Sequence, residues 1–267
     1  MVMATNVGEG LEPSRTRVPG REWSLLYRIG GVSAFVFVGM LLAAVVLFVV
    51  NPAPPADGGA ATLRYIAAHR TPYVVQQQLW LVPGVFAMVT YVALYPALRG
   101  VSMSLALLGS AVGAVAWAVT LAIPTTTTGA PALVYLSDQY ASAADPSRRL
   151  ALATAAETLV AQNRTTSVVG PLTAAGMLIV SLAMLHGVFP RFVALLGIVT
   201  GGLGIAAEVL RMVFEGFYGI YGILLPVWMG AVGWNLYRLG RHRGRVPDPG
   251  GGPDPGRVSS TARRDAP

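Results

Sequence analysis

No cysteine occurs among the 267 residues of this chain, which excludes disulfides, thiolate metal centres and cysteine nucleophiles together. Lysine is absent as well: all 19 basic residues are arginine, and with abundant Ala, Gly and Pro this points to a GC-rich bacterial genome. Charge is scarce. Only 12% of residues are charged against 54% hydrophobic, and the mean hydropathy of +0.59 is too high for an ordinary soluble domain of this length. Catalytic signatures are missing too: there is no Gly-x-Ser-x-Gly elbow, no His-Glu-x-x-His zinc helix and no Gly-x-x-x-x-Gly-Lys phosphate loop. Nothing in these residue types calls for an enzyme, a metal or a cofactor.

What is present is six long apolar runs, at about residues 29–50, 79–98, 101–123, 167–187, 192–212 and 218–237. A hydrocarbon layer roughly 30 Å thick needs about 20 helical residues at ~1.5 Å each, so each run matches one crossing. The expected fold class is all-α, a polytopic integral membrane bundle of six transmembrane helices with short helices on the extracytoplasmic side. Residues 1–24 and 241–267 are polar and rich in Gly, Pro and Arg, and are expected to be disordered tails flanking a transmembrane domain at 25–240. The first run has 22 apolar residues where a signal peptide has about 7–15, which reads as an uncleaved anchor.

The net charge of +7 invites a nucleic-acid reading until its positions are examined. Thirteen arginines lie before the first run, after the last, or in the two short turns at Arg99 and Arg191; the opposite side holds six, balanced by six acids. Arginine enrichment beside membrane segments marks the cytoplasmic face. The expected placement is therefore the bacterial plasma membrane, multi-pass, with both termini cytoplasmic, the lipid bilayer as partner and no nucleic acid. This topology divides His69, His186 and His242 between the two sides, which argues against a bis-His haem bundle.

Between the runs, residues 60–68 read as a short helix closed by Thr71-Pro72, and Asp145-Pro146 reads as the cap and first position of another. Leu133, Leu136 and Tyr140 share one helix face, which suggests that these outer helices lie on the bundle's rim. Trp23, Tyr27, Tyr95, Trp234 and Tyr237 fall at one membrane boundary and Trp80, Trp117, Tyr218 and Tyr221 near the other, as in an interfacial aromatic belt.

Small residues recur at spacings of three and four in two runs. Gly109 and Gly113 in the third, and Gly197, Gly201 and Gly204 in the fifth, mark faces where helix backbones approach closely. The second stripe continues into Glu208 and Arg211, the only charges inside any run, which should therefore point into the bundle. Their dull reading is a neutralised pair near the outer headgroups. Their functional reading is a polar site for a ligand or proton, joined by Gln77, Gln78 and Thr120 at the same depth.

Three segments carry a family resemblance: Arg28-Ile29-Gly30-Gly31-Val32-Ser33-Ala34, Leu94-Tyr95-Pro96-Ala97-Leu98-Arg99, and Gly187-Val188-Phe189-Pro190-Arg191-Phe192-Val193-Ala194-Leu195-Leu196-Gly197-Ile198. The order of segments over about residues 25–240 resembles an uncharacterised bacterial family of six-helix membrane proteins, domain of unknown function 4386. That resemblance implies a fold and no activity. The functional expectation is a non-enzymatic component that binds a lipid, a small molecule or a partner protein at the outer side of the bundle. A small secondary or proton-coupled transporter using Glu208 is the alternative, and an intramembrane enzyme stands third.

Overall fold

The computed structural model describes residues 23–51, 53–55, 58–123, 126, 129–164, 169–210 and 216–243. The described residues are helical with no strand, in the order α1 (Ser24–Val50), α2 (Gly59–Ala68), α3 (Arg70–Leu81), α4 (Pro83–Leu98), α5 (Met103–Ala122), α6 (Ala132–Ser142), α7 (Pro146–Arg164), α8 (Val169–Met184), α9 (Arg191–Val209) and α10 (Gly216–Arg243). Five helical stretches are long and apolar enough to cross a membrane: α1, the α3–α4 run Arg70–Leu98, α5, α9 and Gly219–Arg241 of α10. The fourth expected span, 167–187, contains α8, whose 16 described residues reach only about 24 Å. It stops at Met184, where Gly187 donates back to the Met184 carbonyl (3.1 Å) in the turn that leads to Pro190.

The second run is longer than its apolar stretch. Thr71-Pro72, expected to close the preceding helix, lies inside the first turn of α3, where the missing proline N–H has no helical partner to lose. Helical backbone then continues through Val82 (φ −57°, ψ −34°), and Pro83 opens α4, which removes one rung between the two segments.

Six helices close into a ring in which each packs on its neighbours in the order α1, α4, α5, α8, α9, α10 and back to α1. Adjacent helices run antiparallel, as the paired positions along each seam require. Gly30 of α1 meets Ala93 of α4, Gly113 of α5 meets the Tyr91 ring, and Gly176 of α8 would place a β-carbon 2.6 Å from the Gly113 Cα. On the other side of α8, a β-carbon at Gly201 would stand 2.8 Å from the Ala174 carbonyl oxygen and 2.9 Å from the Leu178 nitrogen. α1 and α10 close the ring through Gly31 and Gly233, a seam that the sequence reading did not single out. Where backbones touch this closely only glycine fits, and van der Waals contact holds the helices together without help from water exclusion.

One end of the ring gathers arginines. Arg28 donates from Nε to the Gly240 carbonyl at 3.2 Å, tying α1 to α10, and the Arg99 guanidinium stacks 5.2 Å from the Trp23 ring. The far end carries a cap of α2, α6 and α7 with its own core of Leu63, Ile66, Tyr73, Leu133 and Ala156. Asp145 caps α7 as its sequence suggests, accepting from the Ser147 and Arg148 amides at 3.1 and 3.3 Å. The rim placement of these helices is corrected here. Leu133, with Leu136 and Tyr140 beside it, packs on α2 and α7, because three short amphipathic helices bury more apolar surface against each other than one buries along a rim.

The cap is fastened to α3. The Tyr73 hydroxyl donates to the Ala130 carbonyl (3.1 Å) and accepts from the Ala130 amide (3.2 Å), and an Arg70–Asp138 ion pair (2.9 Å) spans the surface. Gly129 lies beneath that hydroxyl with φ +143°, a conformation that other residues rarely adopt.

Candidate functional site

Two regions of the ring hold buried polar groups. The first is at the far end. Glu208, in the last turn of α9, is 3% exposed, and its carboxylate lies against Gly170 at the start of α8, where a β-carbon would force the Glu208 side chain to shift. One turn earlier Gly204 accommodates Tyr221 of α10, a β-carbon there falling 2.7 Å from the ring. Thr173 occupies the neighbouring Gly170 carbonyl with its hydroxyl at 2.8 Å. The carboxylate is thus wedged between α8 and α9, beside α10, by side chains that the glycine spacing selects. Arg211 lies outside the described residues.

The other expected members do not gather around Glu208 in the same way. Gln77 is fully buried on α3 and accepts from the Thr126 hydroxyl at 2.7 Å, so it braces the loop after α5. Gln78 is exposed. Thr120 donates to the Ala116 carbonyl of its own helix at 3.0 Å. α3 packs on α1, α2 and α4, whereas Glu208 belongs to the α8, α9 and α10 side of the ring. Gln76, beside Gln77, is 2% exposed and its Nε2 has no hydrogen-bond partner; the same is true of the buried Nε1 of Trp80, one turn on.

The second region fills the middle of the ring, and the sequence reading missed it. Tyr91 of α4 and Trp228 of α10 are essentially unexposed, with ring centroids 6.3 Å apart. Gly113 makes space for Tyr91, and Gly197 makes space for both the Trp228 indole nitrogen and the Ser181 hydroxyl. Neither of those two polar atoms has a hydrogen-bond partner, and each such buried group costs about 1–3 kcal/mol. The signal was legible. Tyr221, Leu225, Trp228, Val232 and Leu236 recur at spacings of four and three along α10, and all are buried. This also corrects the aromatic belt: Tyr221 and Tyr27 of α1 both face the core, Tyr221 because Gly204 opposite leaves its ring a socket. Trp234, 55% exposed, stays on the outer surface.

Among the described residues no three His, Asp or Glu side chains come together as a metal site would require. The chemistry left is that of recognition: one buried carboxylate, buried amide and indole donors, and a closed aromatic centre.

An all-α chain whose helices include five of membrane-spanning length and composition has the architecture of a multi-pass membrane protein. More particularly, the chain belongs to the family defined by the domain of unknown function DUF4386, whose model matches residues 25–239. Comparison with curated proteins and with solved structures finds no match to it.

Proposed function

We propose that this protein is a six-span component of the bacterial plasma membrane, both termini cytoplasmic, that binds a ligand from the outer side without transforming it. The observation that carries this reading is Glu208. A carboxylate inside a membrane helix costs at least about 2.5–3.5 kcal/mol at mid-depth on the most lenient scale, and such groups usually mark a site. Here it is buried at the end remote from the arginine cluster, in a place that the absent side chain of Gly170 leaves open. The complementary ligand group is a cationic or hydrogen-bond-donating head, on a lipid, a small molecule or a partner protein. The filled centre of the ring, with Tyr91 and Trp228 in contact range, favours binding over conduction.

A thermal-shift panel of primary and quaternary ammonium compounds against the purified protein tests this. At least one should raise the melting temperature of the wild type and leave Glu208→Gln unmoved, since saturation at 100 times Kd adds about 2.7 kcal/mol. A panel without effect on the wild type, or equal shifts in the variant, would sink it.

The orientation has its own test in this cysteine-free chain. Cysteines placed at Ser142, on α6 of the cap, and at Ser259, in the basic tail, should differ in intact cells: an impermeant thiol reagent labels the first and spares the second. The opposite pattern reverses the topology.

A further inference from the structure

We infer that the outward-facing groove between α1 and α10 seats one anionic phospholipid, held by its phosphate at the arginine end of the ring. Two stripes line this groove. Arg28, Val32, Phe35 and Gly39 recur at spacings of four and three along α1, and Gly230, Trp234, Tyr237 and Arg241 do so along α10. They border the line on which the two helices touch. A β-carbon at Gly31 would meet the Gly233 oxygen and Tyr237, one at Gly233 would meet Ala34, and one at Gly240 would meet Ser24 and the Arg28 side chain. Tyr27, Ala34, Val232 and Leu236 are buried on the inner side of that line, so the stripes lie on its outer side. Arg28, Val32, Phe35, Gly39, Trp234 and Arg241 are all exposed, and a lipid reaches them directly from the surrounding bilayer. The deep end of the groove is open as well: a β-carbon at Gly39 would meet nothing within 4 Å, and one at Gly230 only the Val38 methyl at 3.9 Å.

Charge is concentrated at the mouth. Arg28 is held at the seam by its Nε bond to the Gly240 carbonyl (3.2 Å) and by packing on that glycine, which leaves its two terminal nitrogens without a partner among the described residues. Arg241, the residue after Gly240, has no partner among them either. The described acids Asp138, Asp145, Glu157 and Glu208 lie in the cap or at the far end of the ring, so none of them competes for these guanidinium groups. Forked guanidinium donors match phosphate oxygens in geometry and charge. From Arg28 to Gly39 the stripe rises about 16 Å at ~1.5 Å per residue, close to half of a hydrocarbon layer of roughly 30 Å, so one acyl chain fits beside it within a single leaflet. The leaflet rests on the orientation proposed above: it is the cytoplasmic one, where anionic lipid is the complementary occupant.

The test uses the full chain, purified in detergent and stripped of lipid, with phosphatidylglycerol, phosphatidylcholine or inorganic phosphate as the added probe. Native mass spectrometry counts adducts and a thermal scan reads stabilisation. Wild type should hold one phosphatidylglycerol and gain several degrees. Arg28→Gln also cuts the tie between α1 and α10, so Arg241→Gln carries the charge test. Its lipid-free melting temperature should match wild type, and its affinity for phosphatidylglycerol should fall about tenfold, as expected for one charge-assisted hydrogen bond lost. Arg191→Gln removes the same charge from α9 at the same end and should bind as wild type does. Gly39→Leu fills the deep groove without changing charge and should weaken binding at least as much, whereas Gly202→Leu, the same change at another exposed glycine, should not. Wild type without an adduct, an equal shift from phosphatidylcholine or from inorganic phosphate, Arg191→Gln as damaging as Arg241→Gln, or Gly39→Leu binding like wild type would each overturn the proposal. Glu208→Gln should keep the lipid adduct, and a reversed topology would change the leaflet but not the adduct, so this seat and the carboxylate site fail or stand separately.

Discussion

Gly201→Leu is expected to cost the bundle about 3 kcal/mol or more, whereas Gly202→Leu, one residue further along the same helix, should leave it as stable as wild type or slightly more so. At position 201 the first added carbon already meets the backbone of α8, at the Ala174 oxygen and the Leu178 nitrogen, and three more carbons must follow it. Overpacking costs about 1–3 kcal/mol where side chains can move aside. Here the obstacle is a helix backbone, so the cost lies at or above the upper end of that range. Around Gly202 nothing stands within 4 Å of a β-carbon, and the residue is exposed. Replacing a mid-helix glycine there by a strong helix former gains up to about 1 kcal/mol. Leu203→Ala, which trims a partly buried side chain packed against the core, should fall between the two. Thermal unfolding of the three purified variants in one detergent reads the order. Equal behaviour of Gly201→Leu and Leu203→Ala would mean that the glycine face is not packed.

The second large effect is expected at the centre. Trp228→Ala should lose about 3–5 kcal/mol, the usual cost of emptying a buried aromatic site, because the ring is fully buried between Tyr91 of α4 and Gly197 of α9. Trp228→Phe should be nearly neutral. It keeps most of the volume and removes an indole nitrogen that has no hydrogen-bond partner. The pair of variants separates packing from polar function: if Trp228→Phe is as damaging as Trp228→Ala, the N–H itself matters and a partner for it must exist. Solute uptake into proteoliposomes gives a second readout. Trp228→Ala should leak small solutes if the aromatic centre is what closes the ring, and a tight Trp228→Ala protein would show that closure depends on the glycine seams instead.

Much of the architecture was legible because its causes are local or periodic. Apolar length marked the long helices, Asp145-Pro146 marked the start of α7, and the three-and-four spacing of small residues placed Gly109, Gly113, Gly197, Gly201 and Gly204 on common faces. Spacing along one helix cannot say which neighbour it meets. The sequence grouped Gln77, Gln78 and Thr120 with Glu208 by depth alone. In the folded chain Gln77 is held by Thr126, Thr120 by its own helix, and Gln78 faces outward.

By itself, then, the amino-acid order determined that this is an all-helical protein with stretches suited to a bilayer, that its arginines cluster at one end, and that Glu208 lies on the small-residue face. Those properties follow from hydrophobic length, charge position and the 3.6-residue period, all of which a single chain segment carries within itself. Only the tertiary structure decided that the ring closes through Gly31 and Gly233, that Tyr91 and Trp228 fill its centre, and that α2, α6 and α7 form a cap with a core of its own. It also decided which of three consecutive glutamines is buried against a partner, which is buried without one, and which faces outward. The physical reason is that a socket and its occupant come from different helices, and which two surfaces meet is a property of the assembled ring.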